Sequence, residues 1–104
     1  MSKGLGDIMK QAQQMQAGMA RIQQDLAGRR VEATVGGGAV RVVADGAQNV
    51  VEVRISPEAA ASGDAEMLQE LVLTGVNEAL KKSRDLAAQE MAKLTGGMSL
   101  PGLF

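Results

Sequence analysis

The sequence predicts an α+β fold in the order αβββα: a three-stranded antiparallel sheet with a long helix on either side of it in the chain. Apolar residues at helical spacing occupy the first quarter of the chain. Three short runs rich in valine follow, separated by glycine-containing turns, and a second long helical pattern comes after them. With 104 residues the chain suits one domain, which we expect over residues 1–95, with 96–104 as a flexible tail.

The first helix is predicted from about Gly4 to Ala27, with Gly28 as its stop signal. Its apolar residues recur at alternating steps of three and four, which is the heptad spacing of a coiled-coil seam. They are Leu5, Ile8, Ala12, Met15, Met19, Ile22 and Leu26. The helix either packs on its own sheet or also contacts another helix, and the strict period favours helix contact. We therefore take this set, without its alanine, as a candidate dimer or helix seam.

The three strands are predicted over residues 30–35, 40–45 and 50–55. Turns are expected at the three consecutive glycines 36–38 and over residues 45–49. The alternation gives the sheet one apolar face. Its other face carries Arg41, Glu52 and Arg54, which could pair across strands.

The last helix is predicted from about Asp64 to Thr95, after a short helical turn that Ser56 and Pro57 begin. Its apolar stripe consists of Leu68, Leu71, Val72, Val76, Ala79 and Leu80. A helix of this length spans roughly 48 Å, whereas a six-residue strand spans roughly 20 Å. Part of the helix must therefore project from the sheet or meet another helix. The methionines expected in the core or the seam are Met9, Met15, Met19, Met67 and Met91.

The composition argues against catalysis. The chain has no Cys, His or Tyr, and Phe104 is its only aromatic residue. Disulfides, His/Cys metal sites and Ser-His-Asp or Cys-His nucleophiles are therefore excluded. We interpret Glu66 and Glu70 as a solvated acidic face rather than a carboxylate pair. We expect no enzyme activity, cofactor, metal or small-molecule substrate. No apolar run is long enough for a membrane helix, so we expect a cytoplasmic protein.

Charge is unevenly distributed, although the formal net charge is only −1. Residues 1–30 carry five bases against two acids, residues 57–80 carry five acids and no base, and residues 81–104 carry four bases against two acids. Such asymmetry can direct a polyanion to one part of the surface. The candidate DNA-binding residues are Lys3, Lys10, Arg21, Arg29, Arg30, Lys81, Lys82, Arg84 and Lys93. The group at 81, 82 and 84 is the densest. For each of these residues the alternative is an ordinary solvated charge.

Several segments together resemble the YbaB/EbfC family. The opening segment, residues 4–16, reads GLGDIMKQAQQMQ. The middle contributes VRV at 40–42, DGAQN at 45–49 and VRISP at 53–57. The last third contributes Leu68, Leu71, Val72, the NEA of 77–79 and the GGMSLP of 96–101. The ordered set, which runs nearly end to end, carries the resemblance, and it departs at Gln48 and Ser56, where the family usually has histidine and an acid.

The resemblance implies an αβββα protomer that forms a tweezers-shaped homodimer. It also implies DNA binding without a strong sequence requirement, and a place in the nucleoid with effects on gene expression. Because no aromatic residue precedes Phe104, stacking on single strands is not expected, and the expected partner is double-stranded DNA. Lysine and arginine would supply this binding by neutralising phosphates. The alternative function is a dimeric protein–protein adaptor that uses the helical seam or the apolar tail. Salt separates the two, because phosphate binding weakens steeply as salt rises and apolar docking does not.

Overall fold

The computed structural model describes residues 2–96, and the side chains of residues 4–96. Helix α1 spans Ser2–Gly28, and strands β1, β2 and β3 span Arg30–Val35, Val40–Asp45 and Val50–Ile55. A short helix α2, Pro57–Ala61, precedes the long helix α3, Ala65–Leu94. The predicted αβββα order is confirmed. Residues 97–104 lie outside the described part of the chain, so the domain boundary and the flexible tail stay predictions.

The sheet is a meander in which β2 lies between β1 and β3, and both pairings are antiparallel. The three consecutive glycines between β1 and β2 form a single turn of 3-10 helix. All three have positive φ angles, at 63°, 64° and 100°, a region that other residues rarely enter. The tight reversal predicted at this point therefore depends on glycine.

The core lies between α3 and the first two strands. Val40, Val42 and Ala44 of the central strand are fully buried against Ala79 of α3. Gly75 lets the helix come close, because a Cβ atom at this position would lie 2.8 Å from Cγ2 of Val42. The core consists of small and β-branched residues in two layers, one helix on one sheet.

Strand β3 extends past the edge of this helix. Val53 lies opposite Val42 and Ile55 lies opposite Val40 in the register, so both side chains are on the core face of the sheet. They nevertheless remain 44% and 41% exposed, since α3 lies over β1 and β2. The protomer thus leaves part of its apolar sheet face open.

The polar face of the sheet forms one ion pair across strands and one along a strand. Nε of Arg41 donates to Oε1 of Glu32 at 2.6 Å, which links β2 to β1. Arg54 instead bonds Glu52 of its own strand, because Arg54 lies directly opposite Arg41. The expected cross-strand pairing among Arg41, Glu52 and Arg54 was therefore wrong: Arg41 pairs across strands with Glu32, and Glu52 pairs with Arg54 of its own strand.

Both helices after the sheet begin at the predicted caps. The Ser56 side chain accepts a hydrogen bond from the amide of Ala59, and the Asp64 side chain accepts one from the amide of Met67. Each cap satisfies an amide that the first helical turn leaves free. The limits predicted for α3 are therefore confirmed to within one residue.

The distal half of α3 leaves the sheet and packs along α1, as its length requires. Leu26 of α1 lines the same cleft as Ala87 of α3, and Gly18 lies against Leu94. The two helices are therefore antiparallel, and the described residues extend over 73 × 24 × 17 Å. We call this helical part of the molecule the arm: α1 together with α3 from Arg84 to Leu94.

The seam residues of α1 differ in burial along the helix. Leu26 is buried, whereas Ile22 and Met15 are half-buried and Met19 is 36% exposed. The first two seam residues, Leu5 and Ile8, are exposed in the protomer. The half of α1 nearest the sheet thus makes the helix contact that the heptad spacing favours.

The methionines also separate into two groups. Met15 and Met91 are half-buried between the helices of the arm. Met9 and Met67 are exposed in the protomer, because neither lies where α1 and α3 meet. These two residues therefore do not belong to the protomer core, and a place for them in a seam between chains stays a prediction.

Candidate nucleic-acid interface

The basic residues of α1 lie away from the contact with α3. Lys10 and Arg21 are eleven residues apart, which returns to the same helix face after three turns. Both are exposed, and neither makes an ion pair or hydrogen bond with another residue in the described part of the chain. Gly18 and Leu26, which contact α3 and the sheet, occupy a different face. Lys3 also belongs to α1, but its side chain is outside the described set.

Three further candidates come together where α1, β1 and α3 meet. Nη1 of Arg29 lies 3.5 Å from Asp25 and 3.6 Å from Glu90. Arg30 donates through Nη1 to the carbonyl oxygens of Ala27 and Arg29, both at 3.2 Å. The guanidinium groups therefore lie beside the end of α1, whose last carbonyl groups favour positive charge.

Lys82 is the third residue at this junction, and it has a structural bond. Its Nζ donates to the backbone carbonyl of Glu32 at 2.7 Å, which ties α3 to β1. Nothing in the local sequence indicates this bond, since the two residues are 50 positions apart. Proximity in the sequence groups Lys82 with Lys81 and Arg84, but the structure gives it a different role.

The remaining candidates lie on the exposed surface of α3. Lys81 pairs with Asp85 at 3.2 Å and Lys93 pairs with Glu90 at 3.1 Å, in both cases within the helix. Arg84 is exposed and makes no ion pair with another described residue. Because exposed ion pairs contribute about 0–1 kcal/mol, a phosphate can replace the carboxylate partner at little cost. Lys81 and Lys93 therefore remain available to a polyanion.

The acidic residues lie at the other end of the molecule. Glu66, Glu70 and Glu78 are exposed on the half of α3 that covers the sheet, and the chain has no basic residue between 57 and 80. Bases that have no described partner lie instead on the arm. A polyanion is therefore repelled from the sheet end and tolerated along the arm.

The turn between β2 and β3 is held by hydrogen bonds within itself and to α3. Oδ1 of Asp45 accepts bonds from the amides of Ala47 and Asn49, both at 2.9 Å. These bonds, led by that from Asn49, hold the pKa of the Asp45 carboxyl below its usual value. The next residue in the turn, Gln48, has a positive φ of 67° and donates its amide to the buried hydroxyl of Ser83.

The ion pair between Arg41 and Glu32 on the polar face of the sheet shifts the pKa values of both side chains. The hydrogen bond that Arg41 donates holds the pKa of the Glu32 carboxyl below its ordinary value. The same bond raises the pKa of Arg41. Glu32 is therefore ionised at neutral pH and offsets the charges of Arg41 and Lys82 on this side of β1.

Two kinds of feature are absent from the described residues: a cluster of metal ligands and a membrane-spanning helix. Within residues 2–96, no three carboxylates converge into a group that could hold a metal ion. No helix in this part of the chain is both long and apolar enough to span a membrane.

Comparisons with known proteins agree with these features. A nucleoid-associated protein of Pelotomaculum thermopropionicum is 51% identical over 104 residues, covering 100% of this chain and 99% of that protein. A second nucleoid-associated protein, from Desulforamulus reducens, is 50% identical with the same coverage. The crystal structure of an uncharacterized protein from Helicobacter pylori superposes with a TM-score of 0.74 at 18% identity. It covers 88% of this chain and 94% of its own, and at this identity it supports the fold alone.

The family model of the YbaB/EbfC DNA-binding family matches residues 1–98. The match includes the whole arm, both faces of the sheet and the segment that carries the acidic residues. Because the family model matches nearly the entire sequence and two relatives are 51% and 50% identical to it, this chain belongs to the YbaB/EbfC DNA-binding family.

Proposed function

We propose that this chain is a nucleoid-associated protein that binds duplex DNA as a homodimer, mainly through phosphate contacts and with little sequence specificity. Membership in a DNA-binding family is the observation that carries the proposal. The relatives are named nucleoid-associated proteins, which supports a role in the nucleoid, where binding would affect chromosome organisation and gene expression. In this proposal the protein acts by binding rather than by catalysis, in keeping with its membership in a DNA-binding family.

The arm is the proposed DNA-binding surface. Lys10, Arg21 and Arg84 are exposed there and have no ion-pair partner among the described residues. Such side chains neutralise phosphates and release counterions, which gives affinity that is independent of sequence. The acidic sheet end would keep the duplex on the arm.

Low sequence specificity follows from the kinds of side chain that the arm exposes to DNA. Long, exposed lysines and arginines on helix surfaces contact phosphates in many registers. The chain has no aromatic residue before Phe104, so the stacking that supports binding to single strands is missing from the arm. Duplex DNA is therefore the expected form.

A homodimer is supported by the open apolar face beside β3. Ile55 of the edge strand and Leu73 of α3 line an apolar groove together with Leu68, Gln69, Val72 and Val76. Leu73 is 62% exposed there. Soluble proteins seldom leave both an apolar groove and an open strand edge uncovered. We propose that a second copy covers this groove.

The charges of β3 favour a second copy as the occupant. Glu52 and Arg54 flank Val53 on the polar face of the strand. If two β3 strands pair in antiparallel orientation about Val53, each Glu52 faces the partner's Arg54. This arrangement complements itself, as a twofold interface requires. It would place two arms on one assembly and double the number of bases that a duplex meets.

Replacing Leu73 with lysine tests the dimer. Leu73→Lys adds a charge to a side chain that is already exposed in the protomer, so the protomer should fold normally. Thr74→Lys is the matched control, because Thr74 is exposed on the neighbouring face of α3, outside the groove. We expect sedimentation at micromolar concentration to give a dimer for the wild type and the control, and a monomer for Leu73→Lys. A dimeric Leu73→Lys would overturn the groove as the interface.

Charge variants test the DNA-binding surface. Arg21→Gln combined with Arg84→Gln should weaken duplex binding and reduce its salt dependence by about one unit of slope for each phosphate that is no longer neutralised. Lys82 is kept, since its loss would also break the bond to Glu32. The control is Glu66→Gln with Glu70→Gln, which changes the same number of charges at the acidic end. The control should bind as well as the wild type or better, and equal weakening in both variants would contradict the arm as the site.

The dimeric adaptor is the second candidate function, and the same open groove favours it. In that case Leu73→Lys would abolish capture of a protein partner, and no variant would show salt-dependent binding to DNA. A wild-type dimer that fails to bind duplex DNA at low salt would make the adaptor the better explanation.

A further inference from the structure

A second apolar surface lies at the tip of the arm, far from the groove at β3. Leu5, Ile8 and Met9 of α1 are 65%, 63% and 56% exposed. Exposed apolar residues that occur singly are normal, but these three are neighbours on one helix and continue an apolar stripe. We call this surface, with Ala12 and Met15, the tip stripe.

The tip stripe is exposed because α3 ends at Leu94, before it reaches the N-terminal part of α1. Leu94, the last residue of α3, lies against Gly18 and lines a cleft with Gln11, Gln14 and Met15. From Met15 towards its N-terminus, α1 continues for another ten residues to Leu5, or about 15 Å. The seam that contacts α3 nearer the sheet thus continues without a partner among the described residues.

We propose that the C-terminal segment, residues 97–104, docks on the tip stripe of its own chain. The segment follows α3 after Thr95 and Gly96, and α3 points along α1 towards Leu5 because the two helices are antiparallel. Eight residues can span up to about 26 Å, which exceeds the length of the stripe. The segment therefore begins near the stripe, follows a helix that points along it, and is long enough to cover it.

The composition of the segment matches the surface. It has no charged residue, and its apolar side chains include the only aromatic of the chain. They are Met98, Leu100, Leu103 and Phe104. The stripe is likewise apolar, with a flexible methionine on each side of Ala12 that can adapt to a partner. Docking would bury apolar side-chain area on both sides without removing a charged side chain from water.

Two other arrangements are less favourable. The segment is poorly placed to cover the groove at β3 of its own chain, because it would have to turn back along α3 for about 27 Å to reach Val76, the nearest lining residue. A second copy at the tip stripe would have to compete with a segment attached a few residues away. Short tethers give effective concentrations in the millimolar range, well above those of a protein in solution.

The single aromatic residue provides a direct test in the unmodified chain. Since Phe104 is the only aromatic, nuclear Overhauser contacts from ring protons to the methyl groups of Leu5 or Ile8 have one possible origin. We expect such contacts in a uniformly labelled sample, and we expect them to be absent between chains in a sample that mixes labelled and unlabelled protein. No ring-to-methyl contact to α1, or contacts only between chains, would overturn the proposal.

Cysteine crosslinking gives an independent readout, because the chain contains no cysteine of its own. Ile8→Cys combined with Leu103→Cys should oxidise rapidly to a disulfide within one chain. Lys10→Cys with Leu103→Cys is the control, since position 10 lies roughly 160° around the helix from position 8. Equal oxidation rates in the two variants, or crosslinking of two chains at position 8, would contradict docking in cis.

Discussion

The buried hydroxyl of Ser83 in α3 accepts a hydrogen bond from the backbone amide of Gln48, at 3.0 Å. Ser83 is fully buried, and Gln48 holds a positive φ in the turn between β2 and β3. The bond joins the sheet to α3 close to where the helix leaves the sheet and becomes part of the arm. A contact between residues 35 positions apart thus helps to hold the arm in its orientation relative to the sheet.

Removing this hydroxyl should destabilise the protein. Ser83→Ala leaves the amide of Gln48 without its partner, which costs about 1–3 kcal/mol. The better helix propensity of alanine offsets roughly 0.5 kcal/mol of that loss. We expect a net loss of about 1 kcal/mol in urea denaturation at fixed protein concentration. Thr74→Ala, an exposed change in the same helix, should cause no loss, and equal effects of the two would contradict the role of the bond.

Two helical glycines should respond to alanine in opposite ways. At Gly75 the new Cβ would lie 2.8 Å from the buried and stiff side chain of Val42, so Gly75→Ala should cost about 1–3 kcal/mol of stability. At Gly18 the atom it would meet is Cδ1 of Leu94, the far end of a flexible side chain. Gly18→Ala should therefore gain up to about 1 kcal/mol from helix propensity. Thermal denaturation of both variants checks the order, and a stabilised Gly75→Ala would contradict the packing described for α3.

The Asp45 turn should make stability depend on pH in the acid range. Because the pKa of Asp45 is lower in the folded protein than in the unfolded chain, its contribution is present above the unfolded value of about 4. It is lost as the pH falls through the lower, folded value. Asp45→Asn should lower the urea midpoint at pH 7, and this deficit should shrink towards pH 3. A deficit that is the same at both pH values would exclude the ionised carboxylate as its cause.

Local sequence signals account for most of the fold. The caps at Ser56 and Asp64, the triple-glycine turn and the limits of α3 follow from side chains that act within a few residues. The heptad spacing of α1 correctly favoured helix contact. It could not show where that contact stops, because the exposure of Leu5 and Ile8 depends on the position at which α3 ends.

The candidate site was predicted less completely, because its contacts also depend on residues that are distant in the sequence. The bond from Lys82 to Glu32 and the ion pair of Arg29 with Glu90 join residues far apart in the chain. No spacing rule connects such residues. Charge counts along the sequence located the basic and acidic ends, but only the structure distinguishes an exposed base such as Arg84 from one that ties two elements together.

The salt dependence of duplex binding by the wild-type protein tests the central claim most directly. A titration at several salt concentrations should give an affinity whose logarithm falls linearly with the logarithm of salt, by about 0.9 per phosphate contact. Duplexes of unrelated sequence should give the same slope and similar affinities. Absence of binding at low salt, or an affinity that salt leaves unchanged, would contradict the account of the arm as a phosphate-binding surface.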